Sequence, residues 1–257
     1  MVKIETENKD KPKNKSVLLF SGGMDSLIMN HLLNPDILLV IPHGNSYQKE
    51  ELDSIQKLID KKHISLDKVI FDDRLRLDDF ERDDAIIPNR NLYFITLATH
   101  YGETIYLGSV YGDRSLDKSK EFFKKCEDMF NYLYQEQHWC ESRKFSISAP
   151  YKDKTKSQLV KEYLNSDGSI QALKDSYSCY EGSLKPCGKC KPCFRKWVSF
   201  QNNYILSDDY FQNNPSEAEW IPQILEKINS PEGYRGKEDL EIKYALDKNK
   251  WQERFGK

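Results

Sequence analysis

Two short stretches of this chain carry residue types at spacings that can do chemistry. The first is Ser21-Gly22-Gly23-Met24-Asp25-Ser26, directly after the apolar run Val17-Leu18-Leu19-Phe20. Binding a phosphate takes backbone N–H groups aimed at one point. Two glycines allow a tight turn and close approach, and a following helix start adds free amides and the positive end of its dipole. Ser21 and Ser26 can add hydroxyl hydrogen bonds, and Asp25 suits a metal-side or capping carboxylate. The Walker pattern is absent, so this is not a P-loop of the G-x-x-x-x-G-K-[ST] kind. The plainer alternative is an ordinary strand-turn-helix with a serine cap.

The second stretch is Cys179, Cys187, Cys190 and Cys193, spaced C-x7-C-x2-C-x2-C. Four thiolates close a tetrahedral shell, which suits a structural zinc with no open position; an iron–sulfur cluster also takes four cysteines. Gly182, Gly188, Pro186 and Pro192 supply turns, and Tyr180 is expected to pack inside this knuckle. Paired C-x2-C spacing favours metal in a reducing cytosol over a disulfide scaffold, so a cytoplasmic protein is expected. Cys126 and Cys140 read as unpaired thiols, buried or helical.

The elements that must position these residues follow from periodicity. Short apolar runs over 16–20, 37–41, 68–71 and 104–107 read as buried strands, with 145–148 as one more. Helical patterns fall over 25–33, 48–62, 91–101, 118–137 and 155–164, the last starting at a Thr or Ser cap. Another helix is expected at 194–200. Strand alternating with helix predicts an α/β fold with a doubly wound parallel sheet. The expected organisation is a flexible basic tail over 1–14, a main domain over 15–200 that includes the knuckle at 179–193, and a C-terminal extension over 201–257 packed on it. A net charge of −2 and a pI of about 6.3 argue against a nucleic-acid partner, and no apolar run is long enough for a membrane span. Asp72, Asp73, Asp78, Asp79, Asp83 and Asp84, with Arg74, Arg76 and Arg82, form either a self-paired solvated loop or a cover for the site.

These residues match a family. SGGMDS resembles the PP-loop of N-type ATP pyrophosphatases, of the adenine nucleotide α-hydrolase fold. The cysteine string is similar to the zinc motif of 7-cyano-7-deazaguanine synthases. Landmarks between them agree in order: His43-Gly44 with Gln48 and Glu51-Leu52, then Ile87-Pro88-Asn89-Arg90-Asn91, then Gly108 to Asp113, then Pro150 with Thr155-Lys156. The resemblance implies an ATP-dependent C–N ligase that uses Mg2+, with structural Zn2+. It adenylates 7-carboxy-7-deazaguanine, takes up ammonia and forms the nitrile. Ser21, Gly22, Gly23, Asp25, Ser26, His43 and Asn91 would hold nucleotide. Lys156, Arg90 and Asp113 would serve the chemistry, the two cations by neutralising developing charge. Asp117, Glu121 and Phe122 would contact the deazaguanine. There the chain departs from the family, reading Asp113-Arg114-Ser115-Leu116-Asp117-Lys118-Ser119-Lys120-Glu121-Phe122 where a Y-P-D-C-R-P-E-F string is usual. That departure and the long extension raise a second reading, in which the activated acid couples to another amine, such as a protein amine, in an antiphage (CBASS-type) operon. A third is a catalytically silent nucleotide-binding module. Partners would be the small-molecule substrate and, in the second reading, a protein acceptor or operon partner. The family also suggests a homodimer.

Overall fold

A computed structural model describes residues 14–83, 86–139, 141–181, 185–205 and 209–255, with the backbone alone described over 248–255. The expected tail (but for Asn14), Asp84, Cys140 and Gly182 lie outside the described residues. Five parallel strands form one sheet: β1 (Ser16–Leu19), β2 (Ile37–Val40), β3 (Val69–Phe71), β4 (Thr104–Tyr106) and β5 (Ser146–Ser148), in the order β3-β2-β1-β4-β5. Val17 pairs with Ile37 on one side and Ile105 on the other. The central strands are apolar on both faces because helices cover both. Leu18, Phe20, Leu38 and Val40 meet α1 (Met24–Leu33) and α2 (Gln48–Asp60) through Leu27, Met29, Ile55 and Leu58. Val17, Leu39, Ile105 and Ile147 face the other way, towards α3 (Arg90–Ala98) and α4 (Lys120–Leu133) through Ile95, Ala98, Phe123 and Phe130.

The doubly wound sheet expected from the alternation is therefore present. Helix α5 (Lys156–Asn165) starts at the expected Thr cap, Thr155, which forms a full capping box with Gln158. The short helix α6 (Ile170–Asp175) was not expected, because six residues carry too little periodicity to read. Cys126 is a buried thiol on α4. In the acidic loop, Arg74 clasps the buried Asp72 through Nε (2.8 Å) and Nη2 (2.7 Å), and Arg76 pairs with Asp78. Cys190 is the N-cap of α7 (Lys191–Asn202) and Cys193 lies in its first turn; α8 (Ile221–Asn229) and α9 (Lys237–Phe255) follow. Phe194, Trp197, Ile221, Ile224, Ile228 and Ile242 pack with Cys179, Cys187 and Cys193 into a separate apolar cluster. Among the described residues no helix is long and apolar enough to cross a membrane.

The Ser21–Ser26 loop is tied across the fold. Tyr177 donates its backbone N–H to the Gly22 carbonyl at 3.0 Å, and Gly23 forms a parallel bridge with Tyr177. Ser54 Oγ donates to the same Gly22 carbonyl at 3.2 Å. Gly22 has φ +69°, and a Cβ there would stand 2.8 Å from Ile55 Cγ1. Only glycine meets both conditions without strain. Gly22→Ala is expected to lower stability by about 2 kcal/mol in urea melts.

Candidate active site and metal centre

In a sheet of this order the crevice opens beyond the carboxyl ends of the strands, where β1 and β4 part to opposite sides. A cavity of ≈ 460 Å3 lies there, lined by Ser21, Gly23, Asp25 and Ser26 from the β1–α1 turn and by Gly108 and Ser109 after β4. Its size suits a nucleotide-class ligand. The first-turn amides of α1 have no intrahelical acceptor. Ser26 Oγ donates to the Gly23 carbonyl at 3.0 Å and lies 3.4 Å from Ser21 Oγ, so both hydroxyls stay at the cradle. Asp25 does not cap the helix. The cap position is Gly23, without a side-chain bond, and both Asp25 oxygens receive Lys156 Nζ at 2.5 and 2.6 Å. Lys156 stands at the start of α5, so the two ends of the pair come from different sides of the cavity.

Arg90, Asn91, His43 and Asp113 also line this cavity. Arg90 Nη1 donates to Tyr47 Oη at 3.3 Å, and Tyr47 stacks on Tyr180 with ring centroids 5.2 Å apart. Tyr180, expected inside the knuckle, turns outward instead to make that stack. Asp117 does not line the cavity; it is tied to the lining residue Asn91, whose Nδ2 donates to Asp117 Oδ2 at 2.9 Å. Glu121 and Phe122 are not brought to the cavity. Glu121 pairs with Lys125 on the surface of α4, and Phe122 packs beside Phe123 against the core.

His43 is buried, and its Nδ1 lies 2.9 Å from the Ile41 carbonyl. A carbonyl only accepts, so Nδ1 carries the proton; desolvation lowers the ring's pKa and keeps it neutral. Nε2 is then an acceptor, and it has no partner among the described residues. Burial pushes the Asp113 carboxyl up, but Lys118, Arg195 and Lys156 outweigh it and hold the group well below the usual carboxylate range. Arg195 Nη1 donates to Asp113 Oδ1 at 3.1 Å. Asp113 is thus a fixed anion that organises cations, unsuited to taking up a proton near neutral pH. Glu51 faces the cavity too, and desolvation raises its carboxyl to about 7, against the pull of Arg90.

The sequence reading missed the parts played by Glu51, Lys118 and Arg195. Glu51 was legible only as a landmark, and Arg195 only as a neighbour of Cys193. Nothing in the sequence pointed to Arg235, which reaches the cavity from between α8 and α9.

The four cysteine Sγ atoms lie within 4.8 Å of one another, with Cys187 and Cys193 3.9 Å apart. A tetrahedral Zn2+ with bonds near 2.3 Å needs sulfur–sulfur edges of about 3.8 Å. An iron–sulfur cube would hold its thiolates farther apart. Backbone N–H groups of Glu181 and Cys187 point at Cys179 Sγ, both at 3.4 Å, and those of Lys189 (3.3 Å) and Cys190 (3.4 Å) point at Cys187 Sγ. Donors aimed at sulfur favour thiolates, so the donor set fits one zinc ion.

The model of the family "Queuosine biosynthesis protein QueC" matches residues 15–204. The chain is 27% identical over 224 residues to a 7-cyano-7-deazaguanine synthase of Prochlorococcus marinus, covering 74% of this chain and 98% of that protein. A second relative of that name, from Pseudoalteromonas translucida, is 28% identical over 223 residues, covering 74% and 95%. A third, from Chlorobaculum parvum, is 27% identical over 241 residues, covering 77% and 100%.

Two measurements check the site. Elemental analysis is expected to give one zinc per chain, and Cys179→Ser is expected to lose it and to lower the melting temperature by roughly 10 °C. For Glu51, the folded carboxyl titrates above its unfolded value, so the unfolded chain releases that proton first. The stability tied to the protonated group is full below about 4.5 and lost as pH rises towards 7. In urea melts at pH 4.5 and 7.5, Glu51→Gln is therefore expected to gain stability relative to the parent as pH rises.

Proposed function

Because the chain belongs to the QueC family of queuosine biosynthesis proteins, we propose that it adenylates 7-carboxy-7-deazaguanine with ATP and converts the activated acid with ammonia to 7-cyano-7-deazaguanine. One observation carries this reading: the Ser21–Ser26 cradle lies at the parting of β1 and β4, in one cavity with cations from separate elements, Arg90, Lys156 and Arg195. Activation of a carboxylate asks for stabilised polyphosphate charge and no protein nucleophile. The neutral His43, with its unpartnered acceptor, suits an amino group such as the exocyclic amine of adenine. The free amides at the start of α1 and the Ser21 hydroxyl are the donors offered to the phosphates. Mg2+, when bound, supplies further neutralisation of phosphate charge, and Asp25 is the carboxylate that would hold it.

A carboxylate oxygen of the substrate attacks the α-phosphorus, and the bond to pyrophosphate breaks. Lys156 and Arg195 face the charge gathering on the leaving group. Ammonia adds to the acyl carbon of the adenylate, AMP departs with the original oxygen, and a proton is released to give the amide. The amide oxygen then attacks a second ATP at the α-phosphorus, releasing pyrophosphate. Loss of AMP and the remaining N–H protons leaves the nitrile. Both carboxylate oxygens end in AMP.

A second reading, coupling of the same activated acid to another amine such as a protein amine in an antiphage operon, draws support from two features. Glu121 and Phe122 stand away from the cavity, and the segment after residue 204 reaches into it through Arg235. The protein incubated with 18O-carboxylate-labelled acid, ATP, Mg2+ and ammonium is expected to yield nitrile and two labelled AMP per nitrile. One labelled AMP per acid, with the base left on a protein amine, would replace the first reading with the second. Release of no AMP would sink both and leave a silent nucleotide-binding module.

A further inference from the structure

The family match ends at residue 204, yet the chain after it places Arg235 in the wall of the cavity. The placement is firmly built. Backbone N–H groups of Tyr234 and Arg235 donate to the Asp239 carboxylate at 2.9 and 2.7 Å, which turns the chain into α9. Gly236 has φ +61°, and a Cβ there would meet Tyr111 Oη at 2.5 Å, so this turn lies directly on the loop after β4. That loop gives way in return. Gly112 has φ +85°, and a Cβ would stand 2.6 Å from Glu238 Oε2.

The charges interlock along this contact. Arg235 Nη1 donates to the Gly112 carbonyl at 2.8 Å and to Glu238 Oε2 at 3.3 Å. Glu238 is 5% exposed, and its other oxygen accepts from Arg195 Nη2 at 3.0 Å. Arg195 in turn holds Asp113. One buried carboxylate thus orients two guanidinium groups towards the same cavity. Arg235 Nε and Nη2 have no hydrogen-bond partner among the described residues, which leaves donors in a planar fork. Lys156, Lys191, Arg195 and Arg235 together form the wall shared with a smaller cavity between α7, α8 and α9. Lys191 also has no partner among the described residues. A cationic wall with unused guanidinium donors is chemistry for a polyanion with several oxygens, and a phosphate chain supplies that geometry.

We infer that Arg235 is a phosphate ligand of the ATP site, supplied by the segment after the family match, and that Glu238 is its positioning residue. The inference rests on the ATP reading above. It is tested on the full-length zinc-bound chain by calorimetric titration with ATP, inorganic pyrophosphate and adenosine. Arg235→Ala is expected to weaken ATP and pyrophosphate by about tenfold or more while adenosine changes by less than twofold. Arg235→Lys is expected to recover part of the loss. Glu238→Gln is expected to weaken ATP and pyrophosphate in preference to adenosine, with zinc content retained. Unchanged ATP and pyrophosphate affinity in Arg235→Ala would overturn the inference alone. A parallel loss for adenosine would also overturn it, since that marks a merely structural role. A parent protein that binds neither ATP nor pyrophosphate would overturn the ATP reading together with this one.

Discussion

The hydrogen bond from Tyr177 to Gly22, with the bridge at Gly23, is the constraint on which the rest of the molecule depends. It holds the turn together with the side-chain bonds from Ser54 to the Gly22 carbonyl and from Ser26 to the Gly23 carbonyl. It also fixes where the chain enters the cysteine knuckle, two residues before Cys179. The buried Lys196 braces the same segment, donating to the Ser176 carbonyl at 2.8 Å and to Tyr210 Oη at 2.8 Å. The Ser21–Ser26 loop, the knuckle and helix α7 are therefore tied to one another. A zinc ion held by the four cysteines would steady the segment that Gly22 and Gly23 pair with.

The electrostatics follow the same logic of fixed partners. Asp25, Asp113 and Glu238 each hold a cation, and Asp113 and Glu238 share Arg195. Such a lattice keeps several positive groups close together without ligand, because each carboxylate offsets part of their mutual repulsion. The cations arrive from α5, α7 and the turn before α9, so their spacing is set by helix packing and not by flexible loops. This is pre-organisation: little reorientation would remain for the polyphosphate of the proposed reaction.

How much of this was legible in the sequence depended on range. Val17–Phe20 and Ile37–Ile41 read as buried strands because central strands of a parallel sheet are apolar throughout. The cradle and the cysteine set were legible because each is complete within one short stretch. The cap at Thr155 was local as well. Arg195, Lys118 and Arg235 were not legible, since in a chain that is 31% charged no cation stands out until the fold shows which ones meet. Tyr180 was misplaced for a related reason: its partner Tyr47 lies on the far side of the sequence. Glu121 and Phe122 were expected at the substrate through their resemblance to the end of a Y-P-D-C-R-P-E-F string, but the cap at Ser119 starts α4 and turns them away.

The order of the sheet has a consequence for synthesis. β1 is the first of the five strands in chain order and sits in the middle, while its second neighbour, β4, follows only after α1, β2, α2, β3 and α3. Until β4 leaves the ribosome, one edge of β1 is an open ladder of unpaired amides and carbonyls. The crevice beside the phosphate loop does not exist before then, and Tyr177 comes later still. A nascent chain therefore carries its most characteristic motif long before it can use it, and depends on α1 and α2 to shelter that strand in the interval.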